Sequence, residues 1–212
     1  MRHLPILLFV FCSALYSQNY QFDKLITYEV SLNEIQSTHQ KVINSKNSNY
    51  NLFLTGNLAE LFDSRSLVKH FFEITYLENH ISLKYVRSCN ESENFKKANE
   101  EKWDYRVEKI NDNEFLLGKY KSQKAKNPLF LSKIKIEEST VEGLNDLHPI
   151  EKEFRNLLNS HLDKDKIYSI TEVGFYSNGK IERNLKLIQT AYYELDLSLP
   201  EQLNYDCLNN IP

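Results

Sequence analysis

Histidines, cysteines and paired carboxylates are the side chains here that could do chemistry. Five histidines lie beyond the N-terminal stretch, at His39, His70, His80, His148 and His161, each isolated from the next. A metal centre needs several ligands converging on one point. In His70-Phe71-Phe72-Glu73 the imidazole and the carboxylate fall on opposite faces of a strand. His70 alternates with apolar residues and therefore points inward. There it is a hydrogen-bonded core residue, or a ligand contact if that face lines a cavity. His148 and Glu151, three apart at the start of a helical pattern, read as helix-terminus solvation. Asp163-Lys164-Asp165 has the look of a DxD metal motif but reads as a polar turn, with too few oxygens for a calcium loop. The chain contains no GxxxxGK[ST], GxGxxG, GxSxG or HExxH. That argues against P-loop NTPases, dinucleotide enzymes, elbow-type serine hydrolases and zincins. No catalytic residue, cofactor or metal ligand is assigned. A hydrolase with dispersed carboxylates or histidines is the remaining catalytic alternative.

The cysteines depend on the N-terminus. Met1-Arg2-His3 is followed by a mostly apolar run from Leu4 to Leu15, with Ser13, Ala14 and Ser17 near its end. A basic start, a short apolar run and small residues describe a secretory signal peptide, cleaved here after Ser17. The run is too short to span a bilayer, which takes roughly 20 apolar residues. Cys12 is a poor lipid anchor, because Phe11 sits where a small residue is wanted. The expected organisation is residues 1–17 as signal peptide and 18–212 as one exported β-rich domain. Its destination is the periplasm or the cell exterior, with peripheral attachment to the outer membrane as a further option. No later stretch is apolar and long enough to span. Two cysteines then remain, Cys89 and Cys207, and export favours a disulfide between them over two buried free thiols.

Composition bounds the rest. With 41% hydrophobic and 26% charged residues the chain can build a core, which excludes a disordered polymer. A net charge of −3, together with export, argues against a nucleic-acid partner.

Period-two alternation dominates. Val68, His70, Phe72, Ile74 and Tyr76 form one row, and Ile81, Leu83 and Tyr85 a second. Trp103, Tyr105 and Val107 form a third, and a long row runs Ile181, Leu185, Leu187, Ala191, Tyr193, Leu195, Leu197, Leu199 along what reads as a single face. Strict alternation predicts strands with one wet and one buried face, hence an antiparallel sheet. Ser177-Asn178-Gly179-Lys180 is a strong hairpin signal. Hairpins are expected at 67–88, 103–121 and 166–198, with further strands at 22–30, 50–55 and 128–137. Pro149 opens a helix whose apolar stripe is Ile150, Phe154, Leu157, Leu158 and Leu162, with Glu151 and Arg155 paired on its wet side. Ser31-Leu32-Asn33-Glu34 fits a capping box, so a second helix is expected over 32–43, with a continued strand as its rival.

The predicted fold class is mainly β with one or two helices (α+β). It is a curved antiparallel sheet of 8–10 strands, half-barrel-like and packed on a helix. This architecture is similar to the half-barrels of periplasmic lipoprotein carriers and related lipid-binding proteins. The resemblance implies an apolar or lipid ligand held between sheet and helix. The lining candidates are His70, Phe72, Tyr76, Tyr85, Trp103 and Tyr105. Lys119, Lys121, Lys124 and Lys126 form a basic patch that offers a contact to anionic headgroups or an envelope protein. Asp104, Arg106 and Glu108 read as exposed charges that pair across strands. The expected function is an exported, non-enzymatic binding protein. The alternative is a secreted or surface interaction module with a filled core.

Overall fold

The computed structural model describes residues 18–32, 35–78, 80–91, 102–139, 151–177 and 179–207. Residues 1–17, expected to be a signal peptide, and His148, Pro149 and Ile150 lie outside them.

Eleven strands form one antiparallel sheet: β1 (Asn19–Leu32), β2 (Ile35–Asn44), β3 (Asn47–Thr55), β4 (Leu58–Asp63), β5 (Val68–Tyr76), β6 (Ile81–Asn90), β7 (Asp104–Lys109), β8 (Glu114–Tyr120), β9 (Phe130–Glu138), β10 (Tyr168–Ser177) and β11 (Lys180–Ser198). The order across the sheet is β6-β5-β4-β3-β2-β1-β11-β10-β9-β8-β7. Two meanders therefore meet where β1 pairs with β11, and the sheet is unclosed, with β6 and β7 at its two edges. The tight turns use residues suited to them: Gly56 and Gly179 sit at φ +58° and +77°, where a side chain would be strained.

Two expectations are corrected. Leu32, read as the first turn of a capped helix, ends β1; Asn33 and Glu34 of the expected capping box lie outside the described residues, and from Ile35 on the stretch is strand β2, hydrogen-bonded to β1 on one side and β3 on the other. Pairing on both sides satisfies its backbone more completely than a short helix between turns, and the β-branched Val42 and Ile43 suit a pleated surface. The count of 8–10 strands becomes eleven, because β2 is expected first as a helix with a strand as the rival, and β4 is not anticipated. Leu58-Ala59-Glu60-Leu61 is built from good helix formers and carries little strand signal.

The single apolar face expected for β11 is also overturned. Leu185 belongs to a core cluster with Ile26, Tyr28, Val30, Phe115, Leu117, Ile134, Ile136, Ile170 and Val173. Leu197 and Leu199 belong to a second cluster, with Tyr20, Phe22, Val42, Tyr50, Leu52, Leu61, Phe72 and Ile74. Neighbouring residues feed different clusters: Leu25 packs with the second and Ile26 is in the first, and Val42 and Ile43 divide the same way. Successive strand residues point to opposite faces, so the two clusters lie on opposite faces of the sheet. Register shifts in the β1–β11 pairing, between Phe22 and Lys24 and between Thr27 and Tyr28, break the strict alternation along β11.

The helix α1 spans Lys152–Asn159. Phe154 and Leu158 are 2% and 0% exposed within the first cluster, and Phe154 meets Tyr105 edge-on at 4.9 Å. Leu157, expected in the apolar stripe, is 38% exposed instead.

Candidate functional site

The six lining candidates do not converge. His70, Phe72 and Tyr85 lie on β5 and β6 at one edge of the sheet, and Trp103 and Tyr105 lie on or beside β7 at the other. Tyr76 is 59% exposed and donates its hydroxyl proton to the Gly56 carbonyl at 2.8 Å.

The first group is a buried polar chain. His70 Nδ1 is 2.7 Å from Ser88 Oγ, and Ser88 Oγ is 2.7 Å from the Tyr85 hydroxyl. Phe72 packs edge-on against Tyr85 at 5.9 Å. A serine beside an imidazole is the arrangement of a nucleophile and its base. Here Ser88 is 0% and His70 1% exposed, so both are closed off from solvent in the folded chain. The chain tail closes over the pair. The Ser88 amide donates to the Asn204 carbonyl (2.7 Å), the Asp206 amide donates to the Ser88 carbonyl (3.0 Å), and Arg87 Nη1 donates to the Asp206 carbonyl (2.8 Å). Next to these bonds Cys89 and Cys207 form the expected disulfide, their Cα atoms 4.9 Å apart across 118 residues of sequence.

Behind His70 sits a buried carboxylate that sequence reasoning missed. Asp63 is 2% exposed and accepts bonds from the Tyr20 hydroxyl (3.1 Å), from Arg65 Nε (3.1 Å) and from Arg65 Nη2 (2.8 Å). Its signal was its place in the alternation Ala59, Leu61, Asp63, where an inward acid demands a partner. Burial alone would raise its pKa; the bonds from Arg65 and Tyr20 outweigh that and hold the carboxyl below its usual range. Burial, and then the Asp63 charge, push the Tyr20 hydroxyl up. Burial also pushes the His70 imidazole below its ordinary 6.5, against the weaker opposite pull of Asp63.

These shifts fix a pH dependence. A depressed histidine contributes stability that is complete above 6.5 and is lost as the pH falls below it. A depressed carboxyl contributes stability that is lost further down, as the pH falls through its own folded value. The urea midpoint of the wild type should therefore fall in two stages on acidification. His70→Gln should remove the first stage and leave the second. A wild-type midpoint that stays flat from neutrality to the carboxylate range would contradict this.

The second group centres on Lys119. Alternation along β8 places Phe115, Leu117 and Lys119 on the core side, so Lys119 turns toward α1 and leaves the expected basic patch. Its ammonium is 3.0 Å from both Glu151 carboxylate oxygens, 5.1 Å from the Trp103 ring centroid and 5.5 Å from that of Tyr105. The Tyr105 hydroxyl also donates to Glu151, at 2.5 Å. Burial, and then this bond, raise the Tyr105 pKa. Glu151, expected to pair with Arg155, instead joins α1 to the β7–β8 hairpin. The aromatic pair already holds the protein's own cation.

Lys121, Lys124 and Lys126 are exposed in the β8–β9 connection. That loop is braced: Arg106 Nη2 donates to the Ser122 (3.3 Å) and Gln123 (2.9 Å) carbonyls, and the Leu129 amide donates to the Lys119 carbonyl (2.8 Å). Arg106 pairs along its own strand with Asp104 at 2.8 Å, where a cross-strand partner was expected, and lies 3.8 Å over the Tyr120 ring. Gly118 makes that stack possible, since a Cβ there would sit 2.6 Å from Tyr120 Cε2.

The remaining candidates read as turns and packing. The Asp165 amide donates to Asp163 Oδ1 at 3.0 Å, the polar turn expected there. His39 stacks on Tyr28 at 5.8 Å, and His161 lies 6.0 Å from Phe115. Among the described residues no group of three His, Cys, Asp or Glu side chains is placed to hold a metal ion. Among them, too, no helix is long and apolar enough to cross a membrane. No known family model matches the chain, and no curated protein matches its sequence.

Proposed function

We propose that the mature chain is an exported interaction module with a filled core, without catalytic activity. The observation that carries this reading is the braced β8–β9 loop. It presents Lys121, Lys124 and Lys126 without an ion pair among the described residues, beside Leu129, which is 61% exposed. The loop is ordered before binding, so little conformational entropy is lost when a partner docks. The partner is an acidic surface on an envelope protein. Export rests on the basic and apolar N-terminal stretch, and the disulfide fits an oxidising compartment.

The half-barrel carrier reading has less support. A ligand between sheet and helix needs space there, and Phe154 and Leu158 fill it with buried side chains. The ring candidates sit at opposite sheet edges and are already engaged with Ser88, Lys119 and Glu151.

Crosslinking in the native envelope tests the proposal. The wild type should capture a specific acidic partner. The triple variant Lys121→Glu/Lys124→Glu/Lys126→Glu should bind it at least about tenfold more weakly at low salt, because three reversed charges then face an acidic surface. Equal capture by wild type and variant, or nothing above background from either, contradicts the reading.

A further inference from the structure

The outer edge of β6 is occupied by the chain's own tail. The two pair in parallel at Ser88↔Tyr205, with the Ser88 amide donating to the Asn204 carbonyl (2.7 Å) and the Asp206 amide to the Ser88 carbonyl (3.0 Å). The Asn204 amide donates to the Tyr85 hydroxyl (3.0 Å), and Arg87 Nη1 donates to the Asp206 carbonyl (2.8 Å). Each of these bonds uses the backbone of the tail. Leu203 packs against the second core cluster, while Glu201, Gln202, Asn204 and Tyr205 are exposed.

Recognition of this kind tolerates many sequences. A strand added to a sheet edge is held by main-chain bonds, and pockets for its side chains choose among strands. The β6 edge asks for an extended segment, parallel to β6, with an apolar residue two positions before the one that pairs with Ser88. The non-covalent hold on the tail is small: one bridge and one apolar side chain stand against the backbone freedom of several residues. Parallel pairing is also slightly the weaker kind. What keeps the tail in place is the Cys89–Cys207 bond. Cys207 is exposed and Cys89 half-buried, so an incoming thiol reaches the tail end of the bond. Exposed disulfides are the labile, regulatory ones.

We propose that β6 is a strand-accepting edge with the tail as its built-in occupant, and that a dithiol reductant opens it to an extended, apolar-anchored peptide segment of another protein. A thiolate of the reductant attacks the Cys207 sulfur, and Cys89 leaves as a thiolate. The second thiol of the reductant then displaces Cys207 and closes its own disulfide. Two electrons and two protons thereby pass to Cys89 and Cys207. Release of the tail frees the Ser88 amide and carbonyl for a new strand and uncovers the Tyr85 hydroxyl. It also opens the polar chain behind them, where His70 Nε2 is buried without a hydrogen-bond partner among the described residues. In an oxidising compartment the tail stays locked. This edge is a different surface from the lysine loop, so the two proposals stand or fall separately.

Amide spectra of the mature chain, disulfide-bonded and in dithiothreitol, test this. The probe is the Pro200–Cys207 peptide carrying Cys207→Ser, added to millimolar concentration. The oxidised chain should ignore it. In dithiothreitol the core amides of Leu52 and Leu61, both 0% exposed, should keep their protection, while Ser88 and Asp206 exchange at least about tenfold faster. The peptide should then shift the Ser88 amide saturably, and the same peptide carrying Leu203→Asp should not. Leu203→Asp in the chain itself should strengthen binding of the unaltered peptide to the reduced form, because the chain's own tail no longer competes. A reduced chain that unfolds overturns the proposal, since the disulfide is then part of the fold and not a lock. So does a folded, reduced chain whose tail stays protected, or one that takes neither peptide or both alike. Binding of the peptide to the oxidised chain overturns it too.

Discussion

A Phe72→Ala chain unfolds about 3–5 kcal/mol more easily than the wild type, the usual result of truncating a fully packed core ring. Phe72 is 0% exposed, packs against Tyr85, and belongs to the cluster that holds Leu61, Val42 and Tyr20. The size of the effect discriminates between the two functional readings. A ring lining a ligand pocket already borders empty or exchangeable space, so its loss costs less stability and more ligand. A domain's total stability is about 5–15 kcal/mol, so the variant loses a large share of it. Urea unfolding at neutral pH measures the change. A loss below about 1 kcal/mol would contradict a filled core, since volume-conserving swaps alone reach that size.

Breaking the Cys89–Cys207 link is the second large effect. The bond closes 118 residues of sequence, and the chain-entropy model assigns a loop of that length about 4 kcal/mol. The double variant Cys89→Ser/Cys207→Ser should lose about that much by urea unfolding. The loss has a local consequence. The tail from Leu199 onward is held over Ser88 by three backbone-directed bonds and by the Leu199 and Leu203 side chains in the second cluster. Without the covalent link, amide exchange at Ser88 and Asp206 should speed up before the rest of β6 opens. Protection at Ser88 equal to that in the wild type would mean that the tail docks without help from the disulfide.

How far the sequence revealed this molecule depended on how local each signal was. The β5–β6, β7–β8 and β10–β11 hairpins were legible, because alternation and turn residues act within a few positions. Strand β2 was not. Ile35 to Lys41 is mostly polar, and only its pairing with β1 and β3 makes it a strand. The division of the core between two faces was hidden by register shifts in the β1–β11 pairing, which regular alternation cannot anticipate. The inward direction of His70 was readable from Val68, Phe72 and Ile74. Its partner Ser88 was not, because the shift between Phe71 and Phe72 sets which β6 residue faces it. Lys119 was grouped with its sequence neighbours, although alternation with Phe115 and Leu117 already aimed it at the core. The Cys89–Cys207 pairing followed from count, since reading residues 1–17 as a signal peptide leaves two cysteines and one possible bond. The parting of β10 from β11 beyond Glu172↔Lys186 is a property of three strands together, and no single stretch encodes it.

The central claim is that the protein fills its own core and works through its surface. Native mass spectrometry of the mature chain, purified from its own envelope without detergent, tests it most directly. The account predicts the mass of the residues alone for each chain, less two hydrogens for the disulfide. An excess of a few hundred daltons per chain that extracts into organic solvent as a lipid would contradict it and restore the carrier.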